Sequence, residues 1–595
     1  MNSGQSNIKD SALKILWSRI SKRRQKQFWL IFFLMIAVSL LEVVSLGAVL
    51  PFLGALIAPE QIYHNSLIQP IVQILEITEP NQLILPMTTF FIAATIIAGM
   101  SRLILFYAMT RFSYAVGADL SIDIYRRTLY QDYKVHISRN SSEIINSVIT
   151  KTSTVINGIF APILTLLSSI ILFISIIGIL FIINIYIALS VFISFGLLYW
   201  LVIRHTKSYL EDNSLIIAKQ STQLVKALQE GMSGIRDVLI DGSQEFYCKL
   251  YSDADLPLRR ASGDNQFISG SPRYIMEAIG MTLIAGFAYL LVQQDGGAVT
   301  AIPILGALAL GAQKLLPTLQ QIYSSYSLIK GSKSSLKDVL YLLDQPLPSH
   351  DYKLSSKTIS FKKEIKLINL SFRYSKESPW TLKDINLSLG KGERIGFIGE
   401  TGSGKSTLLD IIMGLLSPTD GQLIIDQQPL NTQNYREWQA HIAHVPQSIF
   451  LSDDTIERNI AFGIPEEQIN HQLVREVAQQ AQIAELIKGW KYGYQTSVGE
   501  RGVRLSGGQR QRIGIARALY KRADVLIFDE ATSALDGQTE RAVMEAIEGL
   551  GGNLTVLIIA HRLTTLKNCD KIIRLDKNNK LHTLSYDEIY NTPTN

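Results

Sequence analysis

Six long apolar runs occupy the first half of the chain, at about 28–57, 84–110, 156–182, 184–204, 268–292 and 298–318. Each is near or above the roughly 20 residues a helix needs to cross a bilayer, so the pattern predicts six membrane-spanning helices. Past about residue 325 the pattern changes. Short apolar strands such as "VLIFDE" (525–530) and "LTVLIIAH" (554–561) alternate there with polar stretches of helical period, as in a domain built from sheet and helix. The long segments after spans two and four keep much of that helical period. They read as extensions of the spans beyond the membrane, turning at tips near Lys134–Arg139 and Glu230–Ile240 that are candidates for contact with the second domain. In "SLIQPIVQILEI" (66–77), Leu67, Ile68, Ile71, Val72 and Leu75 share one helical face. An interfacial helix or a cap on the bundle would both give that pattern.

Composition agrees with a membrane chain. Of 595 residues 47% are hydrophobic and only 18% charged, against about 25% charged in soluble domains. The net charge of +6 is modest for this length and argues against a nucleic-acid partner. Cys248 and Cys569 are the only cysteines and lie far apart, so free thiols are expected. Charge also sets the expected topology. The loop 58–85 has no Lys or Arg but carries Glu60, Glu76 and Glu79. The segment after span two carries Arg111, Arg126, Arg127, Lys134 and Arg139, and the one after span four Arg204, Lys207, Lys219, Arg236, Arg259 and Arg260. The basic segments are placed in the cytosol, and both termini with them.

The chemistry begins at "RIGFIGETGSGKSTLLDII" (394–412), a short apolar strand, a glycine-rich turn and a helix. Gly399, Gly404, Lys405 and Ser406 fill the pattern G-x-x-x-x-G-K-[ST]. Backbone N–H groups of such a turn curl around phosphate oxygens at a helix N-terminus, Lys405 reaches the β- and γ-phosphates, and Ser406 can ligate Mg²⁺. The intervening Glu400, Thr401, Gly402 and Ser403 and the following Thr407 belong to the same cradle. "VLIFDE" ends in two carboxylates. Asp529 suits the Mg²⁺ environment, and Glu530 is placed to polarise a water against the γ-phosphate. His561, at the end of the next strand pattern, can donate to that phosphate.

"LSGGQRQRIGIARAL" (505–519) resembles the signature of the ATP-binding-cassette ATPases, and the other motifs of that family occur in order across roughly 365–585. The resemblance implies nucleotide contacts for Ser506, Gly507, Gly508 and Gln509, and for Asp536 in "SALD" (533–536). It implies an adenine-stacking role for Tyr374 in "LSFRY", and a metal-side, catalytic role for Gln447 in "VPQ". "TSVGERG" (496–502) is similar to the segment that meets the membrane domain in exporters. The implied architecture is an all-α six-helix transmembrane domain followed by an α/β P-loop cassette. Its divisions are a cytosolic segment at 1–27, the membrane domain at 28–340, a linker at 341–364 and the cassette at 365–595. Two cassettes of this family sandwich two ATP molecules, so a single cassette per chain implies a homodimer using ATP and Mg²⁺, hydrolysing at both sites.

Within the membrane half, "NSSEIINSVITK", "SPRYIMEAIGM" and "QKLLPTLQQIYSSYSLIK" resemble the bacterial lipid-linked oligosaccharide flippases and polysaccharide exporters. That implies an anionic glycolipid as substrate and the bacterial inner membrane as the site of action. The charges bear on this independently. Glu42, Arg102, Arg273, Glu277 and Lys314 lie within or beside spans, where charges usually face the bundle interior or a wet cavity. Arg273 and Glu277 are i,i+4 and can bridge each other; Glu42 can pair with Arg102; Lys314 is left without an obvious partner. Lys314, Thr318, Gln321 and Ser325 share a helical face, with Leu315, Leu319, Ile322 and Tyr326 beside it. The expectation is that this stripe turns toward water, and that Arg102, Arg273 and Lys314 bind an anionic head group. A multidrug or phospholipid exporter of the same architecture is the alternative, and an ATP-gated channel or regulator a more distant one.

Overall fold

A computed structural model describes residues 12–64, 68–183, 185–292, 297–347, 359–531, 534–549, 553–560, 562–576 and 580–590. The chain divides into two compact units: residues 1–131 with 139–347, and residues 132–138 with 348–595.

The first unit is helical. Its long elements are Lys22–Gly47 continued by Val49–Ile57, then Ile84–Leu129, Ala161–Ile183, Ile185–Ser233, Gln244–Gly270 with Pro272–Val292, and Gly297–Gly331. Together with the turn Ile156–Phe160 that precedes Ala161–Ile183, these overlap all six apolar runs over the described residues. Among the described residues, Lys22–Ile57, Pro80–Leu129 and Ser141–Phe181 are each long and apolar enough to cross a membrane. At 1.5 Å per residue, the 46-residue helix Ile84–Leu129 and the 49-residue helix Ile185–Ser233 are each about 70 Å long. That is more than twice the roughly 30 Å of hydrocarbon, so much of each helix continues outside it. Short helices follow these two arms, Tyr133–Ser138 after the first and Ile235–Ile240 after the second.

The third arm is irregular in a specific way. Between Ser141 and Ile183 its α-helix is interrupted by two π-helical turns, Ser147–Lys151 and Ile156–Phe160. The second lies against Gly297–Gly331 and Ile84–Leu129, and the first against the helix Lys333–Leu343. There Lys151, buried, holds Asp338 at 2.6 Å, and Gly158 lies so close to Ser332 that a Cβ would come within 2.0 Å of its hydroxyl. Among its described residues, the stretch 66–77 is helical over Gln69–Ile74. Val72 packs into a small core with Ala55, Ile77, Leu83 and Met87, whereas Leu75 is exposed. Leu67 lies outside the described residues. Cys248 and Cys569 are both free.

The second unit contains two sheets. Strands β1 (Glu364–Phe372), β2 (Leu382–Gly390), β4 (Asp420–Ile425) and β5 (Gln428–Pro429) form an antiparallel sheet in the order β2-β1-β4-β5. Strands β3 (Arg394–Ile398), β6 (Ile442–Val445), β7 (Val525–Asp529), β8 (Thr555–Ile559), β9 (Lys571–Leu575) and β10 (Leu581–Leu584) form the other, in the order β10-β9-β3-β8-β7-β6. Its pairs are parallel except β9 with β10. Parallel strands are covered on both faces, so they read as unbroken apolar runs. Val525–Phe528 and Thr555–Ile559 are accordingly buried throughout. Because β3, β8, β7 and β6 run the same way, their carboxyl ends emerge along one edge, which is where open α/β sheets place ligands.

Candidate functional site

Four segments leave that edge. From β3 the chain enters the turn Gly399–Gly404, then the helix Lys405–Ile412. Gly399 has φ +148°, and a Cβ there would meet the Leu575 carbonyl oxygen at 2.2 Å; Gly404, at φ +97°, would press on Leu382 and on the Thr381 carbonyl. Only glycine lets the backbone take these positions. Lys405 arches back over the turn, donating to the carbonyls of Gly399 and Glu400, both at 2.9 Å. Burial lowers the pKa of its ammonium, while Glu530 and Asp529 act to raise it.

From β7 come Asp529 and Glu530. Burial, and then the charge of Glu530, raise the Asp529 pKa; Lys405 and a hydrogen bond from Ser406 oppose that. Hydroxyl and carboxylate thus meet across the edge. Glu530 holds the left-handed backbone φ of +49°, a conformation that non-glycine residues adopt at a cost and that clusters at functional sites. Its backbone N–H donates to the Ile559 carbonyl at 3.1 Å. The turn points its carboxylate at Gln447, just beyond β6, whose Nε2 donates to Glu530 Oε2 at 2.6 Å. Lys405, Ser406, Asp529, Glu530 and Gln447 therefore form one connected polar constellation. Tyr374 joins it through its hydroxyl, 3.1 Å from Thr407 Oγ1, with its ring set edge-on to Phe372. His561 and Ser533 lie outside the described residues.

Asp410 belongs to the same neighbourhood and was not singled out in the sequence. It lies four residues after Ser406, on the same helix face. Burial, with Asp529 adding, pushes its carboxyl up to about 6. Tyr133, in the short helix that groups with this unit, is influenced by both Asp410 and Tyr374, and Lys134 stands 5.9 Å over the Phe372 ring. The only hint in the sequence was an acid placed one turn beyond the glycine-rich loop.

Ser506, Gly507, Gly508 and Gln509 open the helix Gly507–Tyr520 as a capping box: Ser506 Oγ accepts from the Gln509 N–H, and the Gln509 side chain accepts from the Ser506 N–H. A Cβ on Gly508 would come within 3.0 Å of the Ala534 carbonyl oxygen, and Gln511 accepts from the Ala534 N–H. The signature is thereby tied to the loop that follows Glu530. Among the described residues, no hydrogen bond joins it to the Gly399–Thr407 turn of its own chain. Asp536 caps the helix Gly537–Glu548, accepting from the N–H groups of Gln538 and Thr539. Those bonds hold its pKa below the ordinary value.

In the membrane unit two expectations are corrected. Lys314 is not without a partner. It is ion-paired with Glu42, whose side chain is only 4% exposed. Glu42 thus serves Lys314 and not Arg102, which is exposed and has no ion-pair partner among the described residues. The stripe on Gly297–Gly331 does not turn to water as a whole either. Thr318 and Ser325 are buried, Thr318 donates to the Lys314 carbonyl at 2.7 Å, and Gln321 accepts from Ser169 at 3.0 Å. Among the described residues the exposed positions of this helix are Ala309, Gln313, Pro317, Gln321 and Leu328, so the open face is turned partway around the helix from the one anticipated. Most of the stripe is used for packing between helices. Arg273 meets Glu277 at 2.7 Å on an exposed face, as the spacing allowed. The three cations thus have three different surroundings.

Comparison with known proteins accounts for both units. The family model described as ABC transporter matches residues 382–533, and that described as ABC transporter transmembrane region matches residues 28–302. The chain is 26% identical over 499 residues, 84% of each protein, to a protein of Cupriavidus metallidurans named ATP-dependent lipid A-core flippase. It is 31% identical over 369 residues, 61% of each, to the protein of the same name from Alkalilimnicola ehrlichii. Among solved structures, a bacterial Atm1-family ABC exporter with ATP bound superposes with a TM-score of 0.76 over 96% of both chains, at 22% identity; this likeness speaks to the fold alone. With helical membrane unit and cassette each matched in the expected order, the chain belongs to the ABC transporters, with the fold of an exporter and an ATPase domain that drives transport.

Proposed function

We propose that this transporter flips a lipid-linked oligosaccharide or a similar anionic glycolipid across the bacterial inner membrane, as a homodimer with its termini and cassettes in the cytosol. One observation carries the substrate class. Relatives aligned along 81–84% of the chain are named ATP-dependent lipid A-core flippase, which points to a lipid-linked substrate. The basic segments and the exposed Arg102, which has no ion-pair partner among the described residues, support the same reading.

In the cassette, the turn Gly399–Thr407 cradles the phosphates of ATP, with Lys405 as counter-charge and Tyr374 beside the base. Glu530 is the general base for the attacking water, oriented by Gln447. Ser406, Asp529 and Gln447 present the hard oxygen donors that suit Mg²⁺, and the Ser406–Asp529 contact puts two of them side by side. When bound, the ion offsets phosphate charge during transfer. Ser506–Gln509, which make no hydrogen bond to the turn of their own chain among the described residues, serve the nucleotide of the partner protomer. Asp536 acts on the site through the loop it caps.

A second reading has its own support. Lys314 and Arg273 each carry a carboxylate partner, which leaves less free positive charge for a diphosphate than three open cations would. That favours a phospholipid or other amphiphile. Purifying Glu530→Gln with ATP and identifying the co-purifying lipid by mass spectrometry decides between them. A glycolipid supports the first reading; only ordinary phospholipids, with ATPase activity stimulated by diverse hydrophobic amines, would favour the second.

A further inference from the structure

The membrane unit contains a cleft of about 330 Å³ between the third arm and the helix Gly297–Gly331. Its polar lining is Asn157, Thr165, Gln320, Gln321, Ser324 and Ser325, with no charged residue. Gln320, Gln321, Ser324 and Ser325 follow directly on the sixth apolar run, which ends near residue 318. Packing alone accounts for only part of this lining. Gln320 donates its Nε2 to the Ser269 carbonyl at 2.7 Å, yet its Oε1 is buried with no hydrogen-bond partner among the described residues. A buried acceptor left unmet is destabilising. Gln321 uses its oxygen for Ser169 and Asn157 uses its oxygen for the Tyr114 hydroxyl, so both keep their amide nitrogens uncommitted among the described residues. The backbone contributes too. Pro162, in the wall of the cleft, has no N–H to give the carbonyl one turn earlier, and the π-turn Ile156–Phe160 that carries Asn157 lies directly before it.

A ligand for this wall must match uncommitted donors and acceptors set close together. An apolar tail would leave them unmet. An anion would find no counter-charge. A ring bearing several hydroxyls, each able to donate and accept, fits. We propose that this cleft holds a sugar residue of the translocated molecule, so that the membrane unit reads the glycan as well as the lipid. This rests on the glycolipid reading above. The placement agrees with it: Gln320 lies six residues after Lys314, about 9 Å along the helix axis toward its carboxyl end, so a head-group phosphate and a sugar can occupy successive levels.

The test uses the full-length transporter in liposomes and two probes, a polyprenyl-diphosphate-linked trisaccharide and the same polyprenyl diphosphate without sugar. Gln320→Leu with Ser324→Ala is expected to lower the ratio of translocation, sugar-bearing over bare, at least fivefold. A ratio equal to that of the unaltered protein, or parallel loss of both lipids, would overturn the proposal. A labelling experiment guards against misfolding. Ser324→Cys on a background with Cys248→Ser and Cys569→Ser should react with a maleimide, and the trisaccharide lipid should protect it while the bare diphosphate does not. Equal labelling with both lipids counts against the cleft. Should the unaltered transporter move neither lipid, the glycolipid reading itself fails and the sugar site falls with it, a result distinct from an unchanged ratio.

Discussion

The Gln447 amide donates to the Glu530 carboxylate at 2.6 Å, fixing the orientation of an acid that sits on a left-handed backbone turn. A carboxylate so placed can take a proton from water; a carboxamide of the same shape cannot. Glu530→Gln is therefore expected to cut steady-state phosphate release by about 10²–10⁴-fold, the usual contribution of a positioned acid–base group, while ATP binding persists. Phosphate release and nucleotide binding measured on one preparation check this. Near-normal turnover would remove Glu530 from the mechanism.

The Lys314–Glu42 pair leads to a double-mutant test. Glu42 is almost wholly buried and Lys314 about a third exposed. Lys314→Gln leaves the carboxylate uncompensated, which costs about 2–4 kcal/mol, toward the low side of the range for a broken buried pair because the lysine is partly wet. The melting midpoint should fall, and Lys314→Gln combined with Glu42→Gln should recover most of it. If the double variant regains stability but still fails to translocate substrate, Lys314 has a role beyond the pair. Recovery of both would make the pair structural only.

Asp410 gives the cassette a pH signature. Its carboxyl is held at about 6 by burial and by Asp529, above the ordinary unfolded value of about 4. The folded state then binds the proton more tightly than the unfolded state does. The sign follows: the contribution is fully present below about pH 4 and is lost as pH rises through about 6. Asp410→Asn should therefore melt higher than the unaltered protein at pH 7.5 and close to it at pH 4.5. The gain expected is about 1–2 kcal/mol after allowing for solvent screening of a carboxyl that is not fully buried. An equal difference at both pH values would mean the substitution acts through packing.

Ser506 tests the sharing of sites between protomers. Ser506→Arg removes a helix cap worth about 1 kcal/mol and places bulk at the signature. In a mixed dimer, one Ser506→Arg chain is expected to silence the site built on the other chain's Lys405, leaving about half the activity or less. Full activity in the mixed dimer, or hydrolysis at the full rate by a strict monomer in nanodiscs, would contradict the shared site.

What was legible in the sequence was local. The turn Gly399–Gly404 could be read because its glycines answer to steric limits set a few residues away, and Asp529 and Glu530 because a buried strand announces its own end. Helix existence was equally plain, since an apolar run that long has few other fates. Partnerships between distant helices were not legible. Glu42 and Lys314 are 272 residues apart, and counting turns tells which residues share a face without telling what that face meets. Thr318 and Ser325 were assigned to water on those grounds, and the structure packs them against protein. Asp410 carries no motif, and its raised pKa comes only from what surrounds it.

The two π-turns of the third arm also bear on how this chain tolerates insertions and deletions. A π-turn houses one more residue than the α-turn it replaces. Deleting a single residue within Ile156–Phe160 can return that turn to α-helix while the arm on either side keeps its phase. The same deletion within Ala161–Ile183 rotates everything beyond it by about 100° and turns one face of the span into another. Length variation in this arm should therefore collect at 147–151 and 156–160. A lineage that has lost the residue at Asn157 would keep its fold and lose one polar side chain from the wall of the cleft without rebuilding the helix.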